Sequence, residues 1–214
     1  MIRLAFPASA SLSPPWTAPM RYSIALTLFS LLALVLSAPA ISADDAVSLS
    51  VGDEAPKFEA KDDSGETWKS TDHVGKKIIV LYFYPADMTG GCTAQACAYR
   101  DRMDELAAKD VMVVGVSGDT VENHKLFKKA HDLNFALLAD TEGKVANAFG
   151  VPVSLGAKTV EKLILGKNES LTRNVTAKRW TFVIGLDGKI AYKDEKVNAK
   201  QDPEKIAEVI KDLK

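Results

Sequence analysis

Residues 78–97 read IIVLYFYPADMTGGCTAQAC, and this stretch decides the fold. From Ile78 to Tyr84 every side chain is β-branched, aromatic or aliphatic. A run with no polar face fits a strand buried on both sides, as in a parallel sheet covered by helices. Pro85 lacks the N–H that a strand needs and ends it. Residues 87–91 form a loop. Beyond it the apolar period changes: Ala96, Tyr99, Met103 and Leu106 share one stripe of a helix expected over 93–109.

Outward from this unit the same grammar repeats. VMVVGV at 111–116 is a second buried strand, followed by an amphipathic helix over 121–133, a short strand over 135–138 and a short helix over 141–149. WTFVIGL at 180–186 is a further strand, and Asp187-Gly188 turns it into 189–193. A helix with Pro203 in its first turn closes the chain over 203–213. Alternating strands and helices imply parallel βαβ units, and the last hairpin adds antiparallel strands. The expectation is an α/β domain with a central mixed sheet and helices on both faces. Residues 151–178 hold Gly156, Gly166, Asn168 and Asn174 and carry no sustained period. They are expected to form a loop-rich insertion with a short helix near 160–163. Asn168-Glu-Ser and Asn174-Val-Thr match the glycosylation acceptor pattern, a weak signal.

The 214 residues carry a formal net charge of −1, so no basic field argues for nucleic acid or an anionic membrane. At the N-terminus, Arg21 precedes an uncharged run over 24–36. That run is shorter than the roughly 20 residues a bilayer-spanning helix needs. The small-residue stretch SAPAISADD follows it. Together these read as a signal peptide over 1–43, with Met20 an alternative start and cleavage near Ala40 or Ala43. An uncleaved anchor is the competing reading. Cleavage would export residues 44–214 to a periplasm or the outside, with no stable membrane association.

The two cysteines, Cys92 and Cys97, would then sit where disulfides persist, and a structural bridge is the default there. Its ring is short, so it would remove only about 2 kcal/mol of chain entropy, and helix strain would offset that. Placement suggests another role. Thr89 is positioned to cap the helix, which puts Cys92 at the third helical position with its N–H toward the Thr89 hydroxyl. Unpaired N–H groups and the helix dipole favour negative charge there, and the thiolate is the nucleophilic form of cysteine. Gly90 and Gly91 leave bare backbone beside the sulfur, past which a small substrate can approach.

Pro85-x3-Thr89-x2-Cys92 resembles the active-site signature of the peroxiredoxins. DMTGGCTAQAC, with its second cysteine five residues on, looks like the bacterioferritin-comigratory or Q-type branch, and RWTFVIGLDGKI is similar to a later strand of that family whose arginine faces the active site. The resemblance covers about residues 49–214 apart from the segment before Arg179. It implies a thioredoxin-like fold and a thiol-dependent peroxidase acting on hydrogen peroxide and small organic hydroperoxides in antioxidant defence, with no metal and no cofactor. Cys92 would attack the peroxide and become a sulfenic acid. Arg179 would hold the thiolate and polarise the peroxide. Thr89 would hydrogen-bond sulfur or substrate, Pro85 would shield the pocket, and Gly90, Gly91 and Gln95 would line it, with Gln95 also steadying Arg179. Cys97 would close a Cys92–Cys97 disulfide, which an external thioredoxin-like dithiol would reduce. A monomer or weak dimer is expected. Two departures stand out: Gly90 occupies a position usually filled by Pro, and the stretch before Arg179 is long.

Ideal helix geometry adds a constraint. Residues five apart have Cα atoms about 8.7 Å apart, and a disulfide needs less than about 7 Å. The helix start must therefore unwind to close this bond. Two other functions compete. A thiol:disulfide oxidoreductase of similar fold uses Cys-x2-Cys, and a copper-binding chaperone typically Cys-x3-Cys, against the Cys-x4-Cys spacing of this chain. Among plainer readings, Thr89 is only a cap, Pro85 a strand terminator and Arg179 a surface charge. His73, His124 and His131 read as surface or partly buried, and Trp68, Trp180 and Tyr82 as packing residues.

Overall fold

The computed structural model describes residues 47–213. The expected signal peptide and its cleavage sites lie outside the described residues. In chain order the elements are β1 (Glu59–Asp62), β2 (Thr67–Lys69), β3 (Ile78–Phe83), α1 (Gly90–Arg100), α2 (Met103–Ala107), β4 (Val111–Ser117) and α3 (Val121–His131). Then come β5 (Ala136–Ala139), α4 (Lys144–Ala148), β6 (Val153–Ile164), β7 (Lys167–Ala177), β8 (Trp180–Ile184), β9 (Ile190–Asp194) and α5 (Asp202–Asp212). Seven strands form one sheet in the order β2-β1-β5-β4-β3-β8-β9. β3, β4 and β5 run parallel, and β8 lies antiparallel to β3. This is the mixed, thioredoxin-like sheet expected.

The decisive stretch is the middle of the molecule. Every residue of β3 is buried, and its side chains alternate between two cores. Val80, Tyr82 and Tyr84 face Ala96 and Tyr99 of α1, Phe127 of α3 and Ile206 of α5. Ile79, Leu81 and Phe83 face Val145 and Phe149 near α4, together with Phe182. A strand with helices over both faces has no side that can be polar, which explains the unbroken apolar run. Gly115 of β4 sits beneath Tyr82, where a Cβ would fall 2.8 Å from the phenol oxygen.

Two expectations are corrected. The helix predicted over 93–109 starts earlier, at Gly90, and breaks at Asp101-Arg102. At the break the Arg102 N–H turns to the Tyr99 carbonyl at 3.0 Å, and Arg100 donates to Asp101 Oδ1 at 2.7 Å and to the His131 carbonyl at 2.6 Å.

The second correction concerns residues 151–178, which form neither a loop-rich insertion nor a short helix. β6 and β7 make a long antiparallel hairpin, paired from Val153↔Ala177 to Ile164↔Lys167. Leu165 and Gly166 turn it with φ of 48° and 80°, the positive values a two-residue hairpin loop requires. Most of β6 is exposed on both faces, so no core imposes alternating apolar residues on it. The base of the hairpin is anchored. Gly118 packs so closely that a Cβ there would lie 2.2 Å from the Val175 carbonyl oxygen, and Asn123 Nδ2 donates to the Thr172 carbonyl at 3.1 Å.

Candidate active site

The loop after β3 is pinned from beneath. Asp87, fully buried, accepts from the Tyr84 hydroxyl at 2.8 Å and pairs with His124 Nδ1 of α3 at 2.8 Å. Its own N–H donates to Asp119 Oδ2 at 2.9 Å. The next residue, Met88, is held at φ 57°, a conformation that non-glycine residues adopt mainly when their surroundings enforce it. His124 is thus not a surface or partly buried histidine but is enclosed completely. Burial works against its charged form, yet the Asp87 and Asp119 carboxylates outweigh it and raise its pKa. Asp119 is itself pushed up, by burial and then by the Asp87 charge.

Thr89 is the backbone cap of α1, and Cys92 occupies the third helical position as expected. The predicted cap bond is absent, and the Thr89 hydroxyl donates to the Ala86 carbonyl at 3.0 Å. The first rung of the helix is Thr93 N–H to the Thr89 carbonyl at 2.8 Å. The N–H groups of Gly90, Gly91 and Cys92 therefore stand outside the helical ladder and direct positive potential at the sulfur. Pro85 is half-buried at the end of β3.

Arg179, just before β8, is not a plain surface charge. Its Nη2 donates to Cys92 Sγ at 3.2 Å, and its Nη1 donates to Gln95 Oε1. Gln95, expected to line the pocket and steady Arg179, is fully buried beside it. It is a bridge: its Nε2 donates to Asp202 Oδ2 at 2.7 Å. The same oxygen accepts from the Tyr99 hydroxyl at 2.6 Å and the Thr181 hydroxyl at 3.0 Å. Burial pushes the Asp202 carboxyl up while these donors pull it down. Burial and the Asp202 charge hold the Tyr99 hydroxyl well above the usual phenol range, so it remains a donor. Asp202, Asp87, Asp119 and His124 had no place in the sequence-based site. Each has a partner 32 to 107 residues away, beyond the reach of local spacing.

Both cysteines are free, Cys92 buried at 1% exposure and Cys97 half-buried. They share one continuous helix. Gly90 and Gly91 are exposed at its start. A Cβ at Gly90 would meet nothing within 4 Å, and one at Gly91 would lie 3.5 Å from Arg179 Nη2. The guanidinium is therefore open to a small molecule arriving over bare backbone. A sulfur held by a fixed cation, beside unpaired N–H groups, is equipped for nucleophilic attack that leaves charge on oxygen.

Comparison with known proteins agrees with this geometry. Residues 51–193 match the model of the AhpC/TSA family. Peroxiredoxin Bcp of Bacillus subtilis is 39% identical over 167 residues, which cover 78% of this chain and 98% of the relative. The chloroplastic peroxiredoxin Q of Populus jackii is 44% identical over 104 residues, 49% of this chain and 48% of the relative. Among solved structures, peroxidoxin BcpB of Mycobacterium tuberculosis superposes with a TM-score of 0.65 at 30% identity, covering 78% of this chain and 99% of that one. The chain belongs to the AhpC/TSA family and is a thiol peroxidase of the Bcp and Q type of peroxiredoxin.

Proposed function

We propose that this peroxidase reduces hydrogen peroxide and small organic hydroperoxides at Cys92 and recycles through an intrachain disulfide with Cys97. The observation that carries the reading is Arg179 Nη2 at 3.2 Å from Cys92 Sγ. The thiolate attacks one peroxide oxygen, and the S–O bond forms as the O–O bond breaks. Sulfur gives up two electrons, and the second oxygen leaves as alkoxide or hydroxide and takes a proton. Arg179 stabilises both the thiolate at the start and the oxyanion as it develops. Because the Thr89 proton is engaged with Ala86, its hydroxyl oxygen is available to accept from the O–H of the incoming peroxide. The Cys97 thiolate then attacks the Cys92 sulfenic acid, expelling hydroxide, which leaves as water. A thioredoxin-like dithiol reduces the disulfide. The site works as a monomer or weak dimer, in a periplasm or outside the cell once the N-terminal segment is cleaved.

The test is peroxide turnover with a supplied dithiol. Cys92→Ser is expected to be inactive. Cys97→Ser should consume one equivalent of peroxide and stall, resuming only with a small thiol. Full activity in Cys92→Ser overturns the assignment, and steady dithiol-driven turnover by Cys97→Ser overturns the intrachain route. N-terminal sequencing of protein recovered from outside the cytoplasm checks export, which an intact residue 1–43 segment contradicts.

A further inference from the structure

Helix α1 carries both cysteines, and one carboxylate on another helix holds it down. Asp202, the first residue of α5, accepts from Gln95 and Tyr99 through a single oxygen, at 2.7 and 2.6 Å. Gln95 and Tyr99 are four residues apart, on one face of α1. Cys97 lies between them in the chain, and Cys92 one turn before Gln95. All three members of this contact are buried. A disulfide between Cys92 and Cys97 cannot close on the intact helix, because the Cα separation exceeds the disulfide limit. The segment that must give way runs through Gln95, so its bond to Asp202 has to break.

We infer that Asp202 is a positioning residue that latches α1 in the form that reacts with peroxide and must release it before Cys97 can reach Cys92. The inference rests on the proposed intrachain route. It gives Asp202 opposite effects on two steps. Through Gln95 and Arg179, Asp202 orders the cation on the sulfur, which speeds the attack that turns the Cys92 thiolate and peroxide into sulfenic acid and alcohol or water. Through Gln95 and Tyr99, it opposes the unwinding that lets Cys97 displace hydroxide from that sulfenic acid. A residue needed only for folding would not separate these steps. Burial disfavours the charged carboxylate, so when α1 leaves, Asp202 regains water in place of its lost donors.

The experiment follows tryptophan fluorescence after rapid mixing of the reduced full chain with hydrogen peroxide; Trp180 adjoins Arg179 in the chain. Sulfenic acid formation is the phase whose rate scales with peroxide, and disulfide closure the phase independent of it. In Asp202→Asn the first is expected to slow about tenfold and the second to quicken about tenfold. Tyr99→Phe removes one tether and keeps the Gln95 arm. It should quicken closure about threefold, so the latch stays testable if the Asp202 variant fails to fold. Parallel slowing of both phases, or closure unchanged in the variants that fold, overturns the latch. A wild type that turns over peroxide without any Cys92–Cys97 bond overturns the intrachain route and the latch together.

Discussion

At Arg179 one planar group meets two acceptors at once, Cys92 Sγ and Gln95 Oε1. A lysine ammonium on a flexible stem cannot reproduce that fork. Arg179→Lys is therefore expected to keep the charge and lose the alignment, lowering the second-order rate with peroxide by about 10²-fold, in the range reported for losing an oriented donor. A change smaller than threefold would show that charge alone suffices. His124 is the other residue whose chemistry can be tested directly. Its folded pKa is raised, so the ion pair with Asp87 contributes stability fully below the unfolded histidine value of about 6.5, and loses it as pH rises through the folded pKa. Asp119 and the Tyr84 hydroxyl also face this cluster. At pH 6, His124→Gln is expected to cost on the order of 3 kcal/mol in urea unfolding, as when one partner of a buried pair is removed. The gap from wild type should narrow toward alkaline pH. Parallel pH profiles would mean that His124 is neutral in the fold.

Among the elements, those with a core-facing stripe were legible in the sequence, and those without one were not. β3, β4 and β8 announce themselves because helices cover both faces of the sheet. The Cys92 position and Thr89 as backbone cap followed from a strand–loop–helix motif, and Arg179 beside the sulfur from the resemblance of one downstream block to the peroxiredoxins. In the β6–β7 hairpin, β6 was illegible because it faces solvent, with Leu155 and Leu163 77% and 73% exposed and no core to enforce a period, while β7 buries only Leu171, Val175 and Ala177. The buried partners Asp202 and His124 were illegible because nothing in their own neighbourhood marks which distant donor they meet. The hairpin matters to the site through its base. Asn123 donates both to Asp119 and to the Thr172 carbonyl, and Asp119 in turn holds the Asp87 N–H of the active-site loop. Gly118→Ala would press a methyl into the Val175 carbonyl, 2.2 Å away. It should cost about 1–3 kcal/mol, typical of overpacking, and slow the peroxide reaction by loosening the same loop. Urea unfolding and a peroxide rate measured on one preparation check both parts. A destabilised variant with an unchanged rate would uncouple the hairpin from the site.

For the whole molecule, the proposed cycle alternates between two folds of one chain, and their relative stability can be argued. The reduced form keeps α1 intact and Asp202 Oδ2 bonded to Gln95 and Tyr99. Oxidation gains the chain-entropy effect of a six-residue ring, about 2 kcal/mol. It breaks the Gln95 and Tyr99 bonds to a carboxylate, each worth about 1.5–3 kcal/mol, and unwinds helix as well. The losses exceed the gain. The oxidised protein is therefore expected to unfold at a lower urea concentration than the reduced one, the reverse of what a structural disulfide does. Amide exchange should place the weakening, with protection lost over residues 92–99 on oxidation and retained in β3 and β4, which the rearrangement leaves paired. A bond closed at the expense of the fold is easily reduced, so a thioredoxin-like dithiol should open it nearly completely at equimolar concentration. If the oxidised form proves more stable, with exchange over 92–99 unchanged, Cys92 and Cys97 form an ordinary brace and the helix does not open.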